Sequence, residues 1–247
     1  MSEAEVFCAG DSNVSRLRAA NVNPNWTFHG ISSGNILTGE DTLIEEIRRH
    51  IPRGEINLVL WWGNEIDGLS KELSSTSILE GHDLIASKLY NGFLGKRRLR
   101  RKDPLQILKL YTGRLLDEAE SFVKKYIKKL SEIIHACDRR SKILQTTIIL
   151  NGPRCKKNKY EDVLVNLLVY FLNHKLKEII EKEPHKICTW TQLKYIDFFF
   201  PFVTGGRWND STRLDLHPEH ERSLSKWYGA AHYDPSVYHE LLDFIER

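Results

Sequence analysis

The chain has 247 residues, 41% of them apolar and 28% charged, and its 36 basic and 33 acidic side chains leave a formal charge of +3. That length can bury a sizeable core, and that composition excludes an intrinsically disordered polymer. The near-balanced charge excludes a globally basic nucleic-acid binder, so any such affinity has to come from local clustering.

Taken in chain order, the first strand-like run is Val6 to Ala9, followed by Gly10 and a helical pattern from Ser12 to Ala20. A second apolar run, Trp26 to His29, leads through HGISSGN to a helix from Asp41 to His50. A third, Ile56 to Trp62, ends in WWGNEID. Helices with i, i+3, i+4 apolar spacing are expected over Leu115 to Ala136 and Tyr160 to Glu181, flanking a fourth run from Ile143 to Leu150. The fifth run, Tyr195 to Phe200, precedes GGRWNDSTRLDLHPEH, and two further helices are expected after Pro218 and Pro235.

The strand runs are continuously apolar rather than alternating, which suits strands covered on both faces. Strands that alternate with helices predict a mostly parallel five-stranded sheet wound on both sides, in one domain spanning 1–247. The region around 69–104 reads as a less regular insert within it. In such sheets chemistry collects in the loops beyond the carboxyl ends of the strands.

Four of those loops carry reactive residue types. Asp11 and Ser12 open a helix, where unpaired backbone N–H groups favour negative charge, so Ser12 reads either as part of a helix cap or as a nucleophile beside its own amide. Gly30 and Gly34 let backbone approach a ligand, or simply make a turn. Asn64 supplies a neutral N–H donor that can face an oxyanion, although Gly-Asn is also ordinary turn chemistry. His217 stands two residues after Asp215, and a carboxylate close to a histidine is what fixes its tautomer for proton transfer.

The set GDSN, GISSGN, WGNE and LDLHPE, in this order, resembles the four blocks of the SGNH hydrolases, the GDSL-type esterases and lipases. ILQTTIILNGPR is similar to the fourth strand of that family and its proline-rich turn. The resemblance implies a flavodoxin-like three-layer α/β/α sandwich and a serine esterase acting on an ester or O-acetyl substrate, in a small molecule or an acylated polymer. It places the nucleophile at Ser12, the general base at His217, and an oxyanion hole at Ser12, Gly34 and Asn64. The family's usual aspartate position is Leu214 here, so Asp215 is the expected partner of His217, with Asp210 as a substitute from farther back. No cofactor or metal is implied.

The resemblance also reaches relatives with other roles, the esterase domains of some retrotransposon proteins and the RNA-binding domain of Oskar. The densest charge in the chain fits the second role: Lys96, Arg97, Arg98, Arg100, Arg101 and Lys102 make six of seven consecutive residues basic. They read as a solvated helix face, a nuclear-import signal or a phosphate-binding patch for RNA or single-stranded nucleic acid.

The cysteines Cys8, Cys137, Cys155 and Cys188 are scattered without a CxxC pair, which predicts reduced, mostly buried thiols. The opening MSEAEVF lacks a secretory pattern, and no apolar run approaches the roughly 20 residues that span a bilayer. An intracellular protein, cytoplasmic or nuclear, is expected.

Overall fold

The computed structural model describes residues 4–31, 36–37, 40–63, 65–66, 69, 113–152, 159–197 and 235–246. Within them the order is β1 (Glu5–Gly10), α1 (Ser12–Ala20), β2 (Trp26–Gly30), α2 (Glu40–His50), β3 (Glu55–Trp61), α3 (Gly113–Asp138), β4 (Lys142–Ile149), α4 (Lys159–Lys182), a 3-10 turn (Pro184–Lys186), β5 (Gln192–Ile196) and α5 (Pro235–Glu246). The expected helix after Pro218 and most of the 69–104 insert lie outside the described residues.

The five strands form one sheet in the order β2-β1-β3-β4-β5, and every pairing is parallel. A parallel pair cannot be closed by a tight hairpin, so intervening chain has to cross a sheet face between paired strands. The interior strands β1 and β3 accordingly carry apolar runs, and β1 is buried from Phe7 to Gly10 while β3 is buried from Leu58 to Trp61.

Side chains alternate between the faces. Phe7, Ala9, Leu58 and Leu60 join Leu43 and Ile47 of α2, Tyr126 and Leu130 of α3, and Phe171 and Leu176 of α4 in one core layer. Cys8, Val59, Trp61, Ile149 and Ile196 point the other way, onto Val14 and Leu17 of α1 and Val237, Leu241 and Leu242 of α5. The result is the expected three-layer α/β/α sandwich.

Two departures from the sequence reading have local causes. The fifth strand starts at Gln192 rather than Tyr195, because β5 is an edge strand whose residues alternate between exposed and partly buried, leaving no continuous apolar run to mark it. On β4, Leu144 is an extra residue between the pairs Ile56 with Ile143 and Asn57 with Gln145, and this bulge leaves it 39% exposed.

Cys8, Cys137 and Cys188 are buried free thiols, as expected; Cys155 lies outside the described residues. Burial pushes the Cys8 thiol strongly up, and burial together with the neighbouring Asp138 pushes Cys137 up to about 12. Among the described residues no helix is long and apolar enough to cross a membrane.

Candidate functional site

The turn from β1 into α1 is built around Gly10. A Cβ there would overlap the carbonyl oxygen of Trp61 at the end of β3 and the Val14 side chain, so β1, β3 and α1 approach this closely only over a glycine. Gly10 also hands its carbonyl to Ile31 N at 2.9 Å, and Asp11 N donates to Trp61 O at 3.0 Å. Gly30 has a similar constraint, because a Cβ there would run into Ser15 of α1.

Asp11 caps α1. Its extended backbone, with φ at −79° and ψ at −163°, stops the helix, and its Oδ1 accepts from Asn13 N at 2.8 Å and from Asn13 Nδ2 at 3.0 Å. Its Oδ2 accepts from Gly63 N at 3.1 Å, so one fully buried carboxylate ties the first loop to the third. Asn13 is fully buried as well, and its Oδ1 accepts from Tyr238 Oη of α5 at 2.9 Å. Ser12, the first residue of α1, stands between these two buried residues and is itself only partly buried. Its backbone therefore sits in the first turn, where helix N–H groups lack intrahelical acceptors and the helix end carries partial positive charge.

The third loop leaves β3 through Trp62 and Gly63. The Trp62 carbonyl accepts from Tyr126 Oη of α3 at 2.7 Å and from Asn151 Nδ2, just beyond β4, at 2.9 Å. Carbonyl and N–H of one peptide unit, Trp62 to Gly63, are thus held from opposite sides. Ile66 N donates to Gly63 O at 3.2 Å and closes the turn.

Glu65 is 3% exposed, and its Oε1 accepts from Ile36 N, which joins the third loop to the second. The acid in WGNE therefore has a local task, the bridging of two loops beyond the carboxyl edge of the sheet.

Of the predicted site residues, Ser12 is placed at the mouth of α1, beyond the carboxyl end of β1. Gly34, Asn64, Asp215, His217 and the substitute Asp210 lie outside the described residues, as do Lys96, Arg97, Arg98, Arg100, Arg101 and Lys102. What the structure does bring together are the neighbours of the first three blocks: Gly10, Asp11 and Asn13 around Ser12, Ile31 and Ile36 on either side of Gly34, and Gly63 and Glu65 on either side of Asn64.

Sequence reasoning missed the buried polar residues Tyr126, Asn151, Asn173 and Tyr238. Asn173 did leave a signal. It interrupts the apolar stripe of Val169, Leu172 and Leu176 on α4, and a polar side chain in such a stripe has to find a buried partner. Asn151 falls in the stretch ILQTTIILNGPR, which marked a strand and a proline-rich turn without singling it out, and neither tyrosine stands out from its apolar neighbours.

No protein-family model matches the chain, and no curated protein sequence does. Solved structures do match. A Streptococcus pneumonia protein, provisionally assigned as a platelet activating factor, is 12% identical with a TM-score of 0.50, over 100% of this chain and 85% of that one. A member of the lipolytic G-D-S-L family from Veillonella parvula is 16% identical with a TM-score of 0.47, over 99% of both chains. Phospholipase A1 from Streptomyces albidoflavus is 9% identical with a TM-score of 0.46, over 98% of both chains. The chain shares its α/β fold, a parallel five-stranded sheet between helices, with the Streptococcus pneumonia structure.

Proposed function

We propose that this chain is an SGNH-type serine esterase whose nucleophile is Ser12. The observation that carries the reading is the mounting of that serine. It stands at the first turn of α1 beyond the carboxyl edge of a parallel sheet, and both of its chain neighbours are buried and hydrogen-bonded. A serine needed only as a cap would be redundant there, because Asp11 is already the N-cap. The likeness of the fold to lipolytic structures adds to the reading.

In the mechanism, Ser12 Oγ attacks the carbonyl carbon of an ester while His217 takes the hydroxyl proton, with Asp215 holding the imidazole in the right tautomer. The charge that develops on the carbonyl oxygen is met by the backbone N–H groups of Ser12 and Gly34 and by the Asn64 side chain. Collapse of the tetrahedral species breaks the bond to the alcohol, which leaves with the proton from His217. Water then adds to the acyl-serine, His217 takes its proton, and return of that proton to Ser12 Oγ releases the acid.

The test is covalent labelling of the folded protein by a fluorophosphonate, together with hydrolysis of a short activated ester. Ser12 is expected to be the labelled residue, Ser12→Ala to lose both signals, and Asn64→Ala to lower turnover on the order of 100-fold, as for other single oxyanion donors. Equal labelling of wild type and Ser12→Ala would sink the assignment.

A further inference from the structure

A continuous chain of buried hydrogen bonds runs beneath the carboxyl edge of the sheet, from α4 on one face to α5 on the other. It begins with a reciprocal pair in which Asn151 N donates to Asn173 Oδ1 at 3.0 Å and Asn173 Nδ2 donates to Asn151 O at 2.7 Å. That pairing fixes the Asn151 backbone, and its side chain then donates to the Trp62 carbonyl alongside Tyr126 Oη. Across the same peptide unit Gly63 N donates to Asp11, Asp11 accepts from Asn13, and Asn13 accepts from Tyr238 Oη. None of Asn173, Asn151, Trp62, Tyr126, Asp11, Asn13 and Tyr238 is more than 3% exposed.

Polar groups cost free energy to bury unless their partners are well placed, so a chain of this length is expensive to maintain where apolar packing would serve. Its location argues against closure of the sheet as its purpose. The opposite, amino-terminal edge is tied by separate contacts, Ser141 Oγ to Pro52 O and Arg140 Nη1 to Arg48 O. What the carboxyl-edge chain does reach is Asp11 and Asn13, the residues on either side of Ser12, together with the peptide that leads from β3 into the third loop.

We infer that Tyr126, Asn151 and Tyr238 are positioning residues, which hold Ser12 and the Trp62–Gly63 peptide in the geometry that acyl transfer needs. The inference rests on the esterase reading. A displacement of about 1 Å at a reacting group can cost on the order of 100-fold in rate, and a hydroxyl removed from the end of such a chain lets the groups it held drift by part of that amount.

The experiment uses Tyr126→Phe, Tyr238→Phe and Asn151→Ser, each assayed well below its own melting temperature, with Ser141→Ala as a control at the far edge. Each of the first three is expected to lower kcat about tenfold with KM nearly unchanged, and to slow fluorophosphonate labelling of Ser12 in parallel. The double tyrosine variant should lose less than the product of the two single losses, because both hydroxyls serve one chain. Ser141→Ala should lower the melting temperature and leave kcat alone. Variants that melt earlier but keep wild-type kcat, or that change only KM, would overturn the inference while the esterase reading stands. A wild type that neither hydrolyses esters nor labels at Ser12 would overturn both.

Discussion

At Gly10 a single hydrogen atom in place of a methyl group decides whether three elements can meet. The overlap that a Cβ would have with the Trp61 carbonyl and Val14 cannot be relieved by moving β3 away, since Asp11 N is bonded to that same carbonyl at 3.0 Å. Gly10→Ala is therefore expected to destabilise the fold by about 1–3 kcal/mol, the range for overpacking a filled site. It should also displace Ser12, so labelling by a fluorophosphonate should fall further than the folded fraction does. Urea titration by circular dichroism gives the first quantity and labelling at zero denaturant the second.

Residue-level legibility follows the same division between local and distant causes. Ser12, Asp11 and Gly10 were readable because strand, glycine, cap and helix follow one another directly in sequence. The polar chain was not, because Asn151 meets Trp62 across 89 positions, Tyr126 meets it across 64, and Tyr238 meets Asn13 across 225. No window of sequence contains both members of any of these pairs.

Among the elements, β1 to β4 could be placed to within a residue or so from their apolar runs, and α1 matches its expected span of Ser12 to Ala20. Of the two edge strands, only β5 began away from its expected start. β2, the other edge, is only partly buried beyond Trp26, and its His29 stacks on His50 of α2 with ring centroids 4.1 Å apart and planes 17° from parallel. His50 Nδ1 donates to the Glu46 carbonyl at 2.8 Å, and His29 Nε2 stands 3.5 Å from Glu46 Oε1.

The His29 imidazole is held below its ordinary value of 6.5, first by burial and then by His50, with Glu46 opposing both. The unfolded chain binds this proton near pH 6.5, whereas the folded chain resists it until lower pH. Between those two points the unfolded state carries more protons, so stability contributed at this site is complete above about pH 6.5 and declines as the pH falls through the folded-state value. The melting temperature of wild type is expected to drop between about pH 7.5 and about pH 5.5, and His29→Gln should flatten that part of the curve. A profile with the same slope in both proteins would place the proton uptake elsewhere.

On the scale of the whole molecule, the two faces of the sheet are covered unequally among the described residues. Three helices, α2, α3 and α4, share one core layer, while α1 and α5 hold the other. Leu241 of α5 is fully buried in that smaller layer together with Trp61, Val14 and Leu17, and Tyr238, one turn earlier on α5, reaches Asn13. One helix thus serves both the core and the candidate site.

The two roles separate by experiment. Leu241→Ala removes buried methyl groups and is expected to cost about 2–5 kcal/mol, a large share of the roughly 5–15 kcal/mol that holds a domain together. Tyr238→Phe removes one hydroxyl, at about 1–3 kcal/mol for the acceptor left behind. In urea titrations Leu241→Ala should move the midpoint further, while its kcat per folded molecule stays closer to wild type, because the Tyr238 bond to Asn13 survives in the molecules that remain folded. Tyr238→Phe should show the reverse order, with the smaller shift in midpoint and the larger loss of kcat. If kcat per folded molecule instead tracked the midpoint in both variants, α5 would be acting on the site through general loosening of the layer rather than through that one hydrogen bond.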